Sequence, residues 1–549
     1  MPPRNQSDER TEFSRRNFLG SAAMLGAAAL APAEFARASE GRTQSEVKPF
    51  ELDEITVAEL QEGMKSGKFT AHSLAQKYLE RIEEIDKSGP RINSVIETNP
   101  DALSIADSLD EERKSKGPRG PLHGIPVLIK DNIGTADRMV TTAGSLALSG
   151  FTPTKDSEVA HRLRAAGAVI LGKTNLSEWA NFRSNSSSSG WSGRGGQTRN
   201  PYALDRNPSG SSSGSGVAVA ANLCAIAVGT ETDGSVVSPA SVNGIAGIKP
   251  TIGLVSRSGI VPIAHSQDTA GPMARTVRDA AILLGVLSAV DPSDSVTADA
   301  RHGRLDYTQF LDPKGLRGAR LGLPRKYFGL NAAMDKLMEG CIAEMKSQGA
   351  EIIDPIEFPN QAQFGESENE VLMYEFKADL NAYLKSRGDK VQVHSLADVM
   401  AFNEKQRSRE MPYFEQENMI QAEKKGPLTD KAYLDARSRC LQISRTNGID
   451  AAIQKYKLHA IVAPTNGLPW LTDWVNGDHD TGGCSTPAAI AGYPHITVPA
   501  GFVRGLPVGI SFFGAGWSEP TLIRLAYAFE QSTKARRPPR FLPTVDFHS

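Results

Sequence analysis

The stretch from Pro208 to Ala240 reads PSGSSSGSGVAVAANLCAIAVGTETDGSVVSPA, and the rest of the chain is arranged around it. Two loops rich in glycine and serine flank an apolar run, Val217 to Val228, that has the length of a short buried helix and a strand. This arrangement brings the first loop close to Ser235. Serine becomes a good nucleophile only when a neighbour takes its proton, and glycines let backbone N–H groups turn toward a developing oxyanion. The stretch therefore indicates acyl transfer.

The composition is that of a globular, enzyme-sized protein. The chain has 549 residues, of which 40% are apolar and 23% are charged, and this is ample for a large core. The net charge is -2, with no long basic run beyond the N-terminus, which argues against a general nucleic-acid binder. No later stretch is long and apolar enough to predict a membrane span, so no stable membrane anchor is expected.

The first 38 residues have the pattern of a bacterial export signal. The paired arginines of Ser14-Arg15-Arg16-Asn17-Phe18-Leu19 precede an alanine-rich apolar run over 21–33 and a small-x-small site at 36–38. We interpret residues 1–38 as a signal peptide read by the twin-arginine export machinery, which predicts a periplasmic or secreted protein. The alternatives are an ordinary N-terminal helix or a lipid-facing anchor, although the run is too short to cross a bilayer.

The cysteine and histidine spacings predict neither a metal site nor a cofactor. The four cysteines are too few for a disulfide framework, and neither they nor the histidines have the spacing of metal ligands. Because the twin-arginine route carries proteins that fold in the reducing cytoplasm, we expect free buried thiols, with a single disulfide left open. The cysteines are Cys224, Cys341, Cys440 and Cys484.

The remaining chain alternates strand and helix patterns, which is typical of an α/β sheet. An apolar run at 125–129 ends in Lys130, and a helix at 157–166 leads to a strand at 168–171. Residues 181–200 are expected to form a loop over the site. The segment 300–450 is richer in charge and in helical pattern, with one strand–helix–strand passage, and we interpret it as a lid or substrate-shaping insertion. A lone lysine after a buried strand would usually reach solvent or pair with Asp131.

Several blocks resemble the amidase signature family. The main blocks are His123–Asn132, Ser209–Gly216 and Gly229–Ala240, and shorter matches at 247–251, 271–274 and 505–509 follow in order. The resemblance covers the chain after about residue 50, apart from the helical middle. It implies one domain over 39–549, an α/β fold in which helices cover both faces of a central twisted mixed β-sheet. It also implies metal-free hydrolysis of carboxamide C–N bonds to an acid and ammonia or an amine.

The resemblance further implies a Ser-Ser-Lys triad that acts through an acyl-enzyme. Ser235 matches the nucleophile, Ser211 the bridging serine, which follows a cis peptide bond after Gly210, and Lys130 the base. Burial makes lysine lose its proton more easily, because desolvation disfavours the ammonium form. Neutral Lys130 would accept a proton from Ser211, which takes one from Ser235 and returns one to the leaving amine.

The oxyanion site is expected in the loop that ends at the nucleophile. Backbone N–H groups of Thr232, Asp233, Gly234 and Ser235 are placed to bind the developing oxyanion. Asp233 is itself a departure from the family pattern, because glycine is usual at this position, and Glu231 stands where aspartate is usual.

A third departure, Val237, bears on the substrate, because an arginine often follows the nucleophile in this family. The loss of that arginine argues against a substrate carboxylate beside the nucleophile. This variant looks most like the exported bacterial peptide amidases, which deaminate C-terminal peptide amides. The predicted substrate is thus a small-molecule or peptide amide.

Three alternatives stay open at this point. Gly210 to Gly214 also fits the nucleophile elbow of an α/β-hydrolase, with Ser212 as nucleophile and His495 or His548 as base. The amidase subunit of a tRNA-dependent amidotransferase shares the triad, although an export signal opposes a cytoplasmic role. A catalytically dead family member kept for binding is disfavoured, because all three triad residues are present.

Overall fold

The computed structural model describes residues 47–298, 305–359, 361–388 and 391–547. The predicted signal peptide, residues 1–38, lies outside these ranges. Within them, no helix is both long enough and apolar enough to cross a membrane.

Most strands join in one mixed sheet. In chain order the strands are β1 Val95–Thr98, β2 Pro126–Lys130, β3 Val169–Thr174, β4 Trp191–Ser192, β5 Gly196–Gln197, β6 Ile226–Glu231, β7 Ala246–Lys249, β8 Thr269–Ala274, β9 Arg320–Gly322, β10 Glu351–Ile353, β11 Ala460–Pro464, β12 His495–Val503 and β13 Leu506–Phe513. Eleven of them form the sheet in the order β1-β3-β2-β6-β8-β7-β12-β13-β11-β9-β10, whereas β4 and β5 pair separately.

The helices flank this sheet, as the fold class expected from the sequence requires. In chain order they are α1 Val57–Lys65, α2 Ala71–Arg81, α3 Ala102–Lys116, α4 Glu158–Ala165, α5 Ser213–Ala220, α6 Val237–Val242, α7 Val277–Leu287, α8 Ala332–Ser347, α9 Gly365–Ser386, α10 Leu396–Lys405, α11 Arg407–Glu410, α12 Glu417–Glu423, α13 Lys431–Leu441, α14 Asp450–Tyr456, α15 Thr486–Ala491 and α16 Glu519–Thr533. The α/β prediction with a central mixed sheet is confirmed.

The parallel strands at the centre of the sheet fix where the site lies. β2 runs parallel to both β3 and β6, with Ile129 opposite Val228. Every residue of these three strands is buried, as expected for strands covered on both faces. Because parallel strands end at the same edge, the last residue of β2 and the turn after β6 are neighbours.

Capping side chains mark the starts of several helices. Thr70 caps α2 and forms a capping box with Ser73, and Thr276 caps α7 by accepting from the Asp279 N–H. α3 begins at Ala102, after Asp101. The Asn99 Oδ1 accepts from the Asp101 N–H at 2.9 Å, just ahead of α3, and its Nδ2 donates to the Ile170 carbonyl beside β3.

The segment 300–450 contributes to the sheet as well as to the helical region. β9 and β10 pair in parallel and extend the sheet beyond β11, and α8 connects them, which is the strand–helix–strand passage predicted from sequence. Helices α9 to α13 lie within the same segment. All four cysteines are buried and free, so the expected reduced thiols are confirmed.

Two glycine-to-alanine changes test this packing. In β8, a Cβ at Gly271 would meet the Ile248 carbonyl oxygen closer than real Cβ atoms come. We expect Gly271→Ala to lower the free energy of unfolding by about 1–3 kcal/mol or to prevent folding. In α8, a Cβ at Gly340 meets nothing within 4 Å.

Gly340→Ala is the matched control, and it should raise the free energy of unfolding by up to about 1 kcal/mol. Urea denaturation followed by circular dichroism measures both variants. Equal stability of the two would contradict the described contact between β7 and β8.

Candidate active site

Lys130 and Ser211 meet in the interior, next to the end of β6. The Lys130 Nζ donates to the Ser211 Oγ at 2.7 Å, to the Thr230 Oγ1 at 2.8 Å and to the Thr230 carbonyl oxygen at 3.1 Å. Both Lys130 and Ser211 are fully buried. The lysine therefore neither reaches solvent nor pairs with Asp131, and its side-chain partners are the hydroxyl groups of Ser211 and Thr230.

The serine loop is joined to the turn that carries Ser235. The peptide bond between Gly210 and Ser211 is cis, as the family resemblance implied. The Ser212 N–H donates to the Ser235 carbonyl oxygen at 3.1 Å. The Ser212 hydroxyl donates to the Thr230 carbonyl at 3.0 Å and accepts from the Thr230 N–H at 3.1 Å. These bonds hold the loop against β6 and engage the Ser212 hydroxyl with backbone.

The turn after β6 is shaped by a glycine and a buried carboxylate. Gly234 has a φ of +78°, which glycine adopts without strain. The Glu231 carboxylate accepts from the N–H groups of Val236 and Val237 at 2.8 and 3.0 Å, at the start of α6. Ser235 is thus held between a left-handed residue and the first turn of a helix.

The neighbouring side chains of this turn are also anchored. The Asp233 carboxylate accepts from the Ser485 hydroxyl and, at 2.6 Å, from the Thr486 hydroxyl at the start of α15. The Thr232 hydroxyl donates to Asp268 at 2.6 Å. Because these contacts come from distant parts of the chain, the turn is fixed by tertiary structure and not by its own sequence.

A cavity of about 310 Å³ opens beside this turn. Its wall includes four consecutive residues, Thr232 to Ser235, together with Ser209 and Gly210 of the serine loop. We call it the site cavity. Ser235 keeps 7% of its surface exposed, whereas Ser211 and Lys130 keep none. The predicted nucleophile is therefore accessible, and the predicted relay and base lie behind it.

Burial sets the protonation of the groups around the site. Desolvation lowers the pKa of Lys130 from 10.5 to about 7, although the negative charges of Asp268 and Glu231 act in the opposite direction. Burial also raises the pKa of Asp268 to about 6 and raises that of Glu231. Near neutral pH a large fraction of Lys130 is therefore uncharged.

A second carboxyl group, that of Glu368, lies against Asp233. Glu368 of α9 lies within hydrogen-bonding distance of Asp233, and burial together with the charge of Asp233 raises its pKa well above the usual value. Gln267 Nε2 donates to Glu368 at 2.9 Å and to the Thr232 carbonyl at 3.3 Å. Protonated Glu368 thus reduces the negative charge beside the site cavity.

The nucleophile-elbow alternative requires a histidine beside Ser212, and the structure does not place His495 there. His495 lies in β12, fully buried, with its ring next to the Ser511 hydroxyl at 2.5 Å. Desolvation lowers its pKa to about 3. His548 lies outside the described residues. Ser212 therefore lacks a histidine base among the described residues.

Within the described ranges, one group of side chains has the spacing of a metal site. The ligand atoms of His265, Glu375 and Asp379 all lie within 4.8 Å of one another. These side chains are already paired, since His265 Nδ1 lies 2.9 Å from Asp379 and the Tyr433 hydroxyl donates to Glu375 at 2.7 Å. Their arrangement is accounted for without an ion.

Comparison with known proteins decides the family. The amidase family pattern matches residues 73–523. This chain belongs to the amidase family. It is 44% identical over 503 residues to a probable amidase of Arabidopsis thaliana, covering 90% of this chain and 93% of that protein.

This amidase is also similar in structure to a solved peptide amidase. The native peptide amidase from Stenotrophomonas maltophilia superimposes with a TM-score of 0.85 at 52% identity, covering 90% of this chain and all of that one. Similarity to the glutamyl-tRNA(Gln) amidotransferase subunit of Halorhodospira halophila is lower, at 34% identity over 491 residues, 88% of this chain and 98% of that protein. The chain is therefore an enzyme that hydrolyses carboxamide C–N bonds.

Sequence reasoning missed several residues that shape the site of this amidase. Thr230 holds Lys130, Asp268 holds Thr232, and Glu368 faces Asp233. The same signal that singled out Lys130, a lysine at or near the end of an apolar strand, was also present at Lys173 and Lys249, and both are fully buried. The carboxylates carried no comparable signal, because their approach depends on the fold.

The electrostatics predict the acidic limb of the pH–rate profile. Because Lys130 must be uncharged to accept a proton and its pKa is about 7, kcat/KM for an uncharged amide should rise with pH and level off above about pH 7 to 8. About one pH unit below the inflection, activity should be roughly tenfold below the plateau. Initial rates of ammonia release between pH 5 and 9 measure this limb.

The variant Asp268→Asn tests whether the titration of Lys130 causes this acidic limb. Asparagine removes the negative charge that favours the ammonium form of Lys130 and keeps one acceptor oxygen for the Thr232 hydroxyl, although its amide group then faces the Ile263 and Ala264 N–H groups. The limb should therefore move to lower pH. A limb that moves to higher pH, or one absent from both proteins, would exclude Lys130 as the titrating group.

Proposed function

We propose that this amidase removes ammonia from C-terminal peptide amides and that Ser235, Ser211 and Lys130 carry the reaction. The observation on which the catalytic roles rest is the buried Nζ–Oγ hydrogen bond between Lys130 and Ser211, with the accessible Ser235 in the adjoining turn. A buried lysine whose pKa is lowered to about 7 has the property that a general base needs.

The proposed reaction has two steps with the same relay. Ser235 Oγ attacks the amide carbon while its proton passes to Ser211 and the Ser211 proton passes to Lys130. Backbone N–H groups of Thr232 to Ser235 stabilise the oxyanion, which in one well-studied protease is worth about 3 to 4 kcal/mol per donor. Ser211 then protonates the departing nitrogen, leaving an ester on Ser235. Water attacks this ester by the same route and releases the acid.

The polar lining of the site cavity supports a substrate whose acyl part is a peptide. Both amide atoms of Asn466 and the Oδ1 of Asn181 are buried without a hydrogen-bond partner among the described residues. Both side chains line the site cavity. Donors and acceptors of this kind complement the N–H and C=O groups of a peptide, and leaving them unpaired is unfavourable.

The charge of the site cavity supports an amide over a free carboxylate. Asp233 and Asp480 line it, and no lysine or arginine does so among the described residues. A substrate carboxylate would find no cationic partner, whereas a neutral carboxamide requires none. Together with the likeness to the S. maltophilia peptide amidase, this favours peptide amides over the glutamine-dependent reaction of a tRNA-dependent amidotransferase.

An ammonia-release screen tests the proposal. Purified protein should release ammonia from peptide amides with a kcat/KM at least tenfold above that for simple aliphatic or aryl amides. Ser235→Ala and Lys130→Met should lose about a thousandfold or more. Ser73→Ala, in a capping box remote from the site, is the control, because it undergoes the same purification and should keep full activity. Release from glutamine only in the presence of tRNA and a partner protein would overturn the substrate assignment, and full activity of Ser235→Ala would overturn the mechanism.

We also propose export through the twin-arginine route, on the pattern of residues 1–38. Changing Arg15 and Arg16 together to lysine should keep the full-length protein in the cytoplasm of a bacterium that has this route. Cell fractionation with an antibody to the protein measures the distribution. Export that is unaffected by the double change would contradict this assignment.

A further inference from the structure

Two aromatic rings from separate segments of the chain stack on the surface of the protein. The ring centroids of Tyr413 and Trp474 lie 4.4 Å apart, and the ring planes are 16° from parallel. The two side chains are 42% and 43% exposed. Tyr413 lies between α11 and α12, whereas Trp474 belongs to the loop that follows β11. We call this pair the aromatic platform.

The loop that carries Trp474 begins and ends in the wall of the site cavity. Trp470 and Asp480 both line this cavity, and Asp480 is exposed. The Trp474 Nε1 donates to the Gln197 Oε1 at 3.4 Å, and the Gln197 Nε2 donates at 2.9 Å to the carbonyl oxygen of Ser189, which also lines the cavity. The aromatic platform therefore lies at the rim of the site cavity, one side chain away from its wall.

Neighbouring residues hold the aromatic platform in place. The buried ring of Trp191 meets the Tyr413 ring edge-on, with the centroids 5.6 Å apart. In the other segment, the Asp473 carboxylate accepts from the N–H groups of Val475 and Asn476, both at 2.9 Å, and this closes the turn that presents the second ring. A surface that is fixed before binding loses little conformational entropy when a ligand arrives.

Apolar exposure is concentrated in the loop after β11. Leu471, Trp474 and Val475 are all exposed, and Val475 is almost completely so. Single exposed apolar side chains are normal on a protein surface, whereas neighbouring ones mark a surface that binds a partner or ligand. Because this loop borders the site cavity, the ligand that fits the observation is the substrate.

The volume of the site cavity limits how much of a peptide it can enclose. An engineered cavity of about 150 Å³ in another protein holds one benzene molecule, and the site cavity measures about 310 Å³. It therefore has room for roughly a dozen non-hydrogen atoms, which is one amidated residue and little more. The preceding residues of a longer peptide must lie outside this cavity, along its rim.

We propose that the aromatic platform binds the residues that precede the amidated one in a peptide substrate and that it favours apolar or aromatic side chains there. The inference rests on the proposed function and adds the preferred sequence of the peptide. Aromatic faces bind such side chains by burying apolar area and by offset or edge-on ring contacts. The exposed carboxylate of Asp480 at the same rim disfavours acidic side chains in the peptide.

The contact with the aromatic platform acts on substrate binding and not on the chemical step. The residues bound there are separated from the scissile carboxamide by the amidated residue, so their contacts are the same before and during the reaction. Losing such contacts raises KM and leaves kcat unchanged. A short amide that ends inside the site cavity does not reach the platform, and its hydrolysis should not depend on it.

Three acetylated amides test the inference: acetyl-alaninamide, acetyl-Gly-Gly-alaninamide and acetyl-Phe-Phe-alaninamide. The wild-type protein should hydrolyse the Phe-Phe peptide with a kcat/KM at least tenfold above that for the Gly-Gly peptide, through a lower KM. Trp474→Ala should reduce this preference to less than threefold and leave kcat/KM for acetyl-alaninamide unchanged. A preference that survives Trp474→Ala in full would overturn the inference.

Further variants serve as controls. Trp474→Phe keeps a ring and should retain at least half of the preference. Leu434→Ala removes an exposed apolar side chain of α13 that does not line the site cavity, and it should match the wild-type protein with all three amides. Tyr413→Ala changes the other segment of the platform and should raise KM for the Phe-Phe peptide by at least threefold. An unchanged KM in this variant would contradict the inference.

Other roles of the aromatic platform give different results. If a second copy of the chain covers it, sedimentation velocity will show a dimer of the wild-type protein that Trp474→Ala dissociates. If the platform only supports the site, Trp474→Ala will lower kcat equally for all three amides. Either result overturns the inference and leaves the proposed function intact. The proposed function fails separately, if the wild-type protein releases ammonia from neither peptide.

Discussion

The hydrogen bond between Lys130 and Ser211 determines much of the architecture around it. Placing a lysine ammonium in the interior is costly unless it is paired, and the environment responds by lowering its pKa. Here the atoms within hydrogen-bonding distance of Nζ are the hydroxyl oxygens of Ser211 and Thr230 and the Thr230 carbonyl oxygen, with no carboxylate in direct contact. A carboxylate in that place would favour the ammonium form, and the base would be lost at neutral pH.

The surrounding carboxylates influence the protonation of Lys130 without contacting its Nζ. Asp268 and Glu231 favour the charged form of Lys130 but do not bond to its Nζ, since Asp268 is bound to Thr232 and Glu231 to the backbone of the turn. The two carboxylates therefore anchor residues of the oxyanion turn and also limit how far the lysine pKa falls. Burial and the charge of Asp233 raise the pKa of Glu368, and a proton on Glu368 similarly lowers the charge next to the site cavity.

The parts of the site that follow from local sequence could be predicted. Lys130 at the end of an apolar strand, the serine loop before α5 and Ser235 after β6 each carry a signal within a few residues, and the order of strands and helices around them is that of an α/β sheet. Thr230, Asp268 and Glu368 could not be assigned in this way. Their roles depend on β6 beside β2, on the loop before β8 and on α9 over the turn, and such approaches between separate segments of the chain leave no local pattern.

The segment 300–450 shows the same limit of prediction from sequence. Its helical character can be predicted from charge and periodicity. The residues that reach the cavities, such as Leu372 in the site cavity and Tyr383 in a neighbouring cavity of about 430 Å³, follow from how α9 lies over the sheet. Nor did its sequence show that β9 and β10 extend the main sheet, because strands of three residues give almost no alternating pattern. The segment is therefore both part of the core and part of the cavity walls.

The central claim, that Lys130 is a base poised near neutrality by burial, is tested most directly by titrating that lysine itself. Protein labelled with ¹³C at the lysine Cε positions, compared with Lys130→Met to assign the signal, reports the protonation of Nζ by NMR. The account predicts a titration with a midpoint near 7, as burial lowers the Lys130 pKa to about 7. A signal that stays that of a charged lysine up to pH 10 would contradict it.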